Sequence, residues 1–321
     1  MIVTALTEMF GLKHPIVLGP MGGVAGGLLA AAVSNGGGLG MVGGGYGEKA
    51  WLETELALVK ANTDRPWGAG LITWSIGEGV LELVLAAKPH AIVLSFGDPT
   101  PYASAIKAAG CKLICQVQDV AGAVQARKAG ADLIVAQGTE GGGHGGSRAT
   151  LPLVPAVIDA VGSVPVVAAG GIADGRGLAA AIMLGAQGVL MGTRFYATPE
   201  ALGHDQAKQR IVNACGDQTQ RTRVFDIVRG YDWPNGYTGR ALHNPFMRRW
   251  DGKEKELAKE IPVERPAFWE AAGKGDYETA MVWAGEVSDL IHTVEGAGAL
   301  VGRISAQAEA QLRIADKVLR P

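Results

Sequence analysis

His144 sits in the stretch Gln137–Thr150, QGTEGGGHGGSRAT, with three glycines before it and two after. An imidazole titrates near neutrality, which suits proton transfer. Small neighbours let such a side chain be aimed at a ligand without crowding it. The competing reading is a histidine that only ties its loop down by a hydrogen bond. Gly170-Gly171 (AAGGIADGRG) and Gly192-Thr193 (LMGT) form a second group. Glycine there lets backbone N–H groups reach phosphate oxygens, the Thr193 hydroxyl could add a hydrogen bond, and a following helix N-terminus would add positive potential. Asp174 reads as a helix cap and Asp226 as a candidate carboxylate. His14, His90, His204, His243 and His292 occupy positions expected of structural histidines. No H-E-x-x-H, no paired Cys/His cluster and no G-x-S-x-G elbow is present, so no metal site is expected. Cys111, Cys115 and Cys215 read as free thiols.

These residues need a scaffold. Short apolar runs recur through the first 200 residues, at Pro15–Leu18, Leu39–Val42, Trp67–Leu71, Ala91–Ser95, Lys112–Gln116, Leu133–Ala136, Val164–Ala168 and Gly188–Met191. Each is continuously apolar, as a strand covered on both faces should be. Helical patterns lie between them at Gly23–Ser34, Glu48–Asn62, Pro101–Ala109, Val120–Lys128 and Gly175–Leu184. Eight β–α units predict an α/β fold, a TIM (β/α)8 barrel, against a doubly wound open sheet. In a barrel, chemistry gathers at the C-terminal strand ends. Those ends carry PMGG, GGG, Gln116, the His144 loop, AGG and MGT.

The β–α rhythm stops after about residue 200. The stretch 205–284 predicts an inserted, mostly helical second domain, set between barrel segments 1–204 and 285–321. A last amphipathic helix is expected at Ser305–Leu319, with Ile304, Ala308, Leu312, Ile314 and Val318 apolar.

Composition excludes several classes. Glycine supplies 48 of 321 residues, about twice the usual share, with no collagen-like period. A glycine inside an element costs roughly 0.5–1 kcal/mol relative to alanine, so the backbone must turn or approach something closely. Charged residues make up 19% and the formal net charge is -2. That balance shows no nucleic-acid footprint. No signal peptide or membrane span is read, and the cytoplasm is the expected compartment.

Taken together, QGTEGGGHGG, VVAAGGIADGRGLAAAIMLGAQGVLMGTRFYAT, PIVLGPMGGVAGGLLAAAVSNGGGLG and VWAGEVSDLI resemble the nitronate monooxygenase (2-nitropropane dioxygenase) family. The resemblance spans most of 10–200 and returns at about 282–320. Type II enoyl-ACP reductases and some NAD(P)H:quinone reductases share the fold and several motifs. The resemblance implies FMN in a barrel with a helical insert. It places Pro20, Met21 and Gly22 beside the flavin ring, with Gln116, Gln137, Gly142 and Gly143 nearby. Ala169, Gly170, Gly171, Gly192 and Thr193 match the phosphate loops, and His144 matches the catalytic histidine. Trp283 opens a closing motif, WAGE, that also borders the ring. Gln137, Gly70 and Gln116 depart from residues found in some relatives.

The expected function is an FMN-dependent oxidoreductase, a nitronate monooxygenase taking nitronates or nitroalkanes with O2 to carbonyl compounds and nitrite. Trp233, Tyr237, Trp250 and Trp283 are candidate pocket walls. The alternative is a quinone or enoyl-thioester reductase drawing on NAD(P)H. Further alternatives are a flavin-binding protein without turnover and a flavin-free barrel binding a phosphorylated ligand. No nucleic-acid or membrane partner is expected; a homodimer is compatible with the sequence, which does not fix the oligomeric state.

Overall fold

A computed structural model describes the backbone of residues 1–318 and the side chains through residue 314. Eight parallel strands form the barrel: β1 (Ile16–Leu18), β2 (Gly40–Gly43), β3 (Trp67–Ile72), β4 (Ala91–Ser95), β5 (Lys112–Val117), β6 (Leu133–Gln137), β8 (Val166–Ala169) and β9 (Val189–Met191). The short β7 (Gly143–Gly145) lies outside it. The strand order is β1-β9-β8-β6-β5-β4-β3-β2. A parallel bridge between Val17 and Leu39 joins the two edges, with the Leu18 N–H donating to the Leu39 carbonyl at 2.9 Å. The barrel is therefore closed, which removes both sheet edges.

Every residue of β1, β2, β4, β8 and β9 is buried. Helices cover the outer faces of the strands, so both faces must be apolar. The predicted strands and the observed ones agree to within two residues. The seventh barrel strand begins at Val166 rather than Val164, because Pro165 has no N–H to give to the ladder. The predicted helix at Gly23 starts instead at Gly27, since the glycine-rich turn before it follows the strand end. Helices at Ala5–Phe10, Val80–Ala86 and Thr150–Val161 were not anticipated. The last carries Pro155 inside it, which masks its helical pattern.

Segment 205–284 contains helices Asp205–Val212, Val224–Arg229, Pro245–Trp250 and Glu254–Lys274. It also supplies β10 (Thr219–Thr222) and β11 (Thr238–Leu242), two strands not foreseen. They build a three-stranded sheet in the order β10-β11-β7. The terminal helix Ala297–Val318 starts earlier than expected and packs on helices Gly175–Met183 and Gly27–Asn35. Ile304 and Ala308 are buried and Leu312 is half-buried, but Ile314 is exposed, against its assignment to the apolar face. The side chain of Val318, and Leu319, lie outside the described residues.

Helix Gly27–Asn35 lies directly on β2 because Gly40 has no side chain. A Cβ there would stand 1.8 Å from the Ala30 carbonyl oxygen. Gly40→Ala should therefore destabilise the protein by about 2 kcal/mol or more, the cost of forced overpacking. Gly302→Ala, in the terminal helix with open space around it, should instead stabilise by about 0.5–1 kcal/mol. Urea midpoints of the two variants, read against the parent, test the pair.

Candidate functional site

One cavity of about 200 Å³ opens at the C-terminal ends of the barrel strands. All eight barrel strands or their loops reach it, through Pro20, Met21 and Gly22 after β1, Tyr46 after β2, Gly70 of β3 and Phe96 after β4. Gln116 of β5 and Gln137 of β6 follow, then Ala169–Gly171 and Gly192–Thr193. Gly142, Gly143 and His144 form the side toward segment 205–284, with Trp233, Trp283 and Arg229. Two candidate walls fall elsewhere. Tyr237 lines a neighbouring cavity that shares Phe96 and Gln116 with the first. Trp250 lines neither; it is buried against the Arg249 guanidinium, 4.5 Å from its ring. Trp250 was named for its type and its segment, and helix Pro245–Trp250 turns it inward.

His144 is placed by pairing. Thr238, Gly239 and Arg240 of β11 stand opposite Gly145, His144 and Gly143. The predicted loop is thus partly a strand, and its partner lies almost a hundred residues away. Arg221 on β10 reinforces it: Nε donates to the Thr139 carbonyl at 3.0 Å, and Nη1 to Gly145 and Thr238 carbonyls at 3.3 and 2.6 Å. Burial lowers the Arg221 pKa to about 10, with Arg240 adding to the shift. From the barrel side, Gln137 Nε2 donates to the His144 carbonyl at 2.9 Å, while its Oε1 accepts from Gln116 and Gln118.

The imidazole has two principal neighbours. Its Nε2 lies 2.9 and 3.0 Å from the two carboxylate oxygens of Asp226, whose side chain is 1% exposed. Its ring stacks on Trp233 with centroids 3.5 Å apart and planes 4° apart. A carboxylate accepting at Nε2 fixes that nitrogen as the N–H, so the neutral ring carries its lone pair on Nδ1. Burial pushes the His144 pKa below 6.5, and Asp226 opposes that fall. A neutral, oriented imidazole facing a cavity can remove a proton from a bound ligand.

The loops after β8 and β9 were expected to hold a phosphate. The N–H groups of Gly170, Gly171 and Gly192 donate to no acceptor among the described residues, and all three residues line the cavity. Gly170 and Gly171 have φ of +91° and +71°, which only glycine adopts freely. Thr193 Oγ1 accepts from the Gly285 N–H at 3.0 Å, leaving its proton free to donate. The helix expected to point at the phosphate is only a single turn, Thr193–Tyr196. Asp174 caps the other candidate, accepting from the Arg176 and Gly177 N–H groups. Loop amides, then, are the unpaired donors at the cavity. The residues fit a phosphate-bearing flat cofactor such as FMN. The WAGE motif has its own reason: a Cβ on Gly285 would stand 2.5 Å from the Glu140 carbonyl oxygen. Glycine there lets 283–286 lie against the His144 loop.

Tyr46, Phe96 and Arg229 were missed. Tyr46 and Phe96 follow β2 and β4, where the barrel rule alone would have found them. Phe96 also has φ +65°, a conformation costing a bulky residue roughly 1–2 kcal/mol. Nothing local marks Arg229. Among the described residues no cluster of His, Cys, Asp and Glu could hold a metal ion, and no helix is long and apolar enough to cross a membrane.

Fold and site together define a (β/α)8 barrel whose mouth pairs a glycine-lined cradle with a histidine–carboxylate dyad. A profile of the nitronate monooxygenase family matches residues 3–76 and 73–307, and the chain belongs to that family. A probable nitronate monooxygenase of Staphylococcus aureus is 30% identical over 94% of this chain and 96% of its own. A (3aS,4S,5R,7aS)-5-hydroxy-7a-methyl-1-oxo-octahydro-1H-indene-4-carboxyl-CoA dehydrogenase of Mycobacterium tuberculosis is 39% identical over 70% of this chain. That match spans 64% of the relative's length. The structure of FabK from Thermotoga maritima superposes with a TM-score of 0.89 at 32% identity, covering 99% of this chain and 100% of FabK.

The dyad makes a titration prediction. His144 is depressed below 6.5, so the unfolded chain takes up its proton first as the pH falls. The stabilisation from the neutral ring is complete above about pH 6.5 and is lost as pH falls from there through the folded value. Asp226→Asn removes the group that raises the pKa, so the folded value should drop further and the acid loss of stability should deepen. A histidine Cε1–H titration by NMR should show the downward move; an upward move or none contradicts the assigned balance.

Proposed function

We propose that this chain is an FMN-dependent oxidoreductase acting as a nitronate monooxygenase, with nitroalkanes or their nitronates and O2 as substrates. The observation that carries the reading is the His144–Asp226 pair, 2.9 Å apart, at the edge of a cavity with unpaired backbone donors. Gly170, Gly171, Gly192 and Thr193 would hold the FMN phosphate. Pro20, Met21, Gly22, Gln116, Gln137, Gly142, Gly143 and Ala169 would border the ring. When bound, FMN supplies the electron transfer that links nitronate oxidation to O2.

The chain's own residues do the rest. Nδ1 of His144 takes the proton from the carbon next to the nitro group, and Asp226 stabilises the imidazolium through Nε2. Trp233 and Trp283 close the cavity beside the imidazole, with ring centroids 3.5 and 5.2 Å from it. They exclude water and keep the ring plane fixed. Segment 205–284 acts as the cap that brings Asp226, Arg229 and Trp233 to the barrel mouth.

A second reading is oxidoreduction of acyl thioesters with NAD(P)H. The 39% identity to a carboxyl-CoA dehydrogenase favours it, and the same base could serve, since thioesters also acidify the adjacent C–H. Anaerobic mixing with NAD(P)H separates the two readings, because only a reductase bleaches its flavin with the pyridine nucleotide.

The purified protein should show flavin absorbance near 450 nm, retained or restored by added FMN. His144→Ala should lower kcat/KM for a neutral nitroalkane by about 10²- to 10⁴-fold, the usual worth of a general base. The same variant should lose less than about tenfold on a preformed nitronate, where no proton need be removed. Nitrite release measures both; equal losses on the two substrates would remove His144 as the base.

A further inference from the structure

We propose that Arg229 is the anion receptor of the cavity: its guanidinium takes a planar, two-oxygen anionic group, a nitronate or a carboxylate, of the bound substrate. Arg229 is the one Lys or Arg among the lining residues. Its side chain is 10% exposed. A guanidinium this deeply buried normally has carboxylate partners that use its donors in parallel. Arg229 does not. The nearest carboxylate oxygen, Asp226 Oδ1, stands 4.0 Å from Nη1, beyond hydrogen-bond reach. That carboxylate already accepts from His144 through both oxygens. Arg229 Nε is buried with no hydrogen-bond partner among the described residues.

Its other neighbours are two tyrosines, which it borders at their ring edges. The guanidinium carbon lies 4.6 Å from the Tyr231 ring centre and 5.5 Å from that of Tyr46. Those two rings stack on each other, 3.6 Å apart. Tyr46 is anchored in turn: its hydroxyl accepts from Trp233 Nε1 at 3.0 Å. The tyrosine pair holds the guanidinium in place: the Tyr231 hydroxyl takes one hydrogen bond from it, and Nε is left without a partner among the described residues. Asp226 is 1% exposed and does not line the cavity, whereas Arg229 does. A ligand in the cavity therefore meets the cation of this pair and not the anion. Two coplanar oxygens match the fork of N–H donors. The same carboxylate, Asp226, sits beside both the base and the receptor, so deprotonation by His144 creates negative charge where a cation is held.

The proposal deepens the nitronate reading, but its binding test is independent of it. The test uses the protein as purified, at about pH 8, where His144 is neutral. Isobutyrate mimics the planar head of a small nitronate, and isobutyramide is its uncharged isostere. Calorimetry should find isobutyrate bound about 10- to 100-fold more tightly than isobutyramide, in line with charge-assisted hydrogen bonds. Arg229→Met should abolish that preference. Arg229→Lys keeps the charge without the fork and should weaken isobutyrate about tenfold; it decides the matter if the Met variant does not fold. Equal affinity for acid and amide, failure of both to bind, or an undiminished preference in the variants overturns the proposal. A nitrite assay with the nitronate of 2-nitropropane identifies the source of the anion. A KM that rises in Arg229→Lys in step with the isobutyrate Kd assigns the receptor to the nitronate; an unchanged KM assigns it to a carboxylate on a different substrate. Absence of nitrite altogether would defeat the nitronate reading and leave the calorimetric result standing.

Discussion

The antiparallel pairing of Gly143–Gly145 with Thr238–Arg240 is the constraint on which the mouth of this barrel depends. A parallel barrel alone can present strand ends and loops, yet a long glycine-rich loop has little reason to hold one shape. Backbone pairing to β11 supplies that reason. It sets His144 across from Gly239, and Arg221 and Arg240 both donate to the Thr139 carbonyl at the base of the same loop. Once the loop is a strand, the direction of the His144 side chain follows from alternation. The same segment, 205–284, also provides Asp226 and Trp233, so one stretch of chain both holds the loop and supplies the neighbours of the His144 ring.

Burial and charge at the dyad pull in opposite directions, and the outcome suits a base. Desolvation is the largest influence on His144 and favours the neutral ring. Asp226 favours the charged ring, more weakly. An imidazole left neutral near pH 7 but touching a carboxylate can accept a proton and have the resulting charge stabilised at once. Arg229 and Arg221 add to the downward shift.

Much of the barrel was legible because its signals are local. Each strand is a short, unbroken apolar run, and each strand end carries glycines, so Gly170, Gly171, Gly192 and Thr193 could be gathered at one cavity before any coordinates. His144 stood out for the same reason. What could not be read is what tertiary pairing decides. Gly143–Gly145 has no β-propensity of its own and becomes a strand only because β11 lies beside it. Trp250 and Trp233 come from the same segment and the same residue type. One fills the core and the other stacks on His144, a difference fixed by how two short helices and their loops sit.

Arg229 shows the limit most clearly. In sequence it is the last residue of a six-residue helix and could as well have faced solvent. Helix Val224–Arg229 carries Asp226 and Arg229 three residues apart, hence on one face. That face is pressed against the dyad, so the helix delivers a carboxylate to His144 and a guanidinium to the cavity together. The two could have formed a tight ion pair and cancelled. They remain 4.0 Å apart because the aromatic stack of Tyr46 and Tyr231 holds the guanidinium while His144 holds the carboxylate. Separating opposite charges inside a protein is costly, and it is sustained here only because each charge is held by a different partner. A ligand that brings its own anion would relieve such an arrangement, so the charge separation and the role proposed for His144 belong to one site.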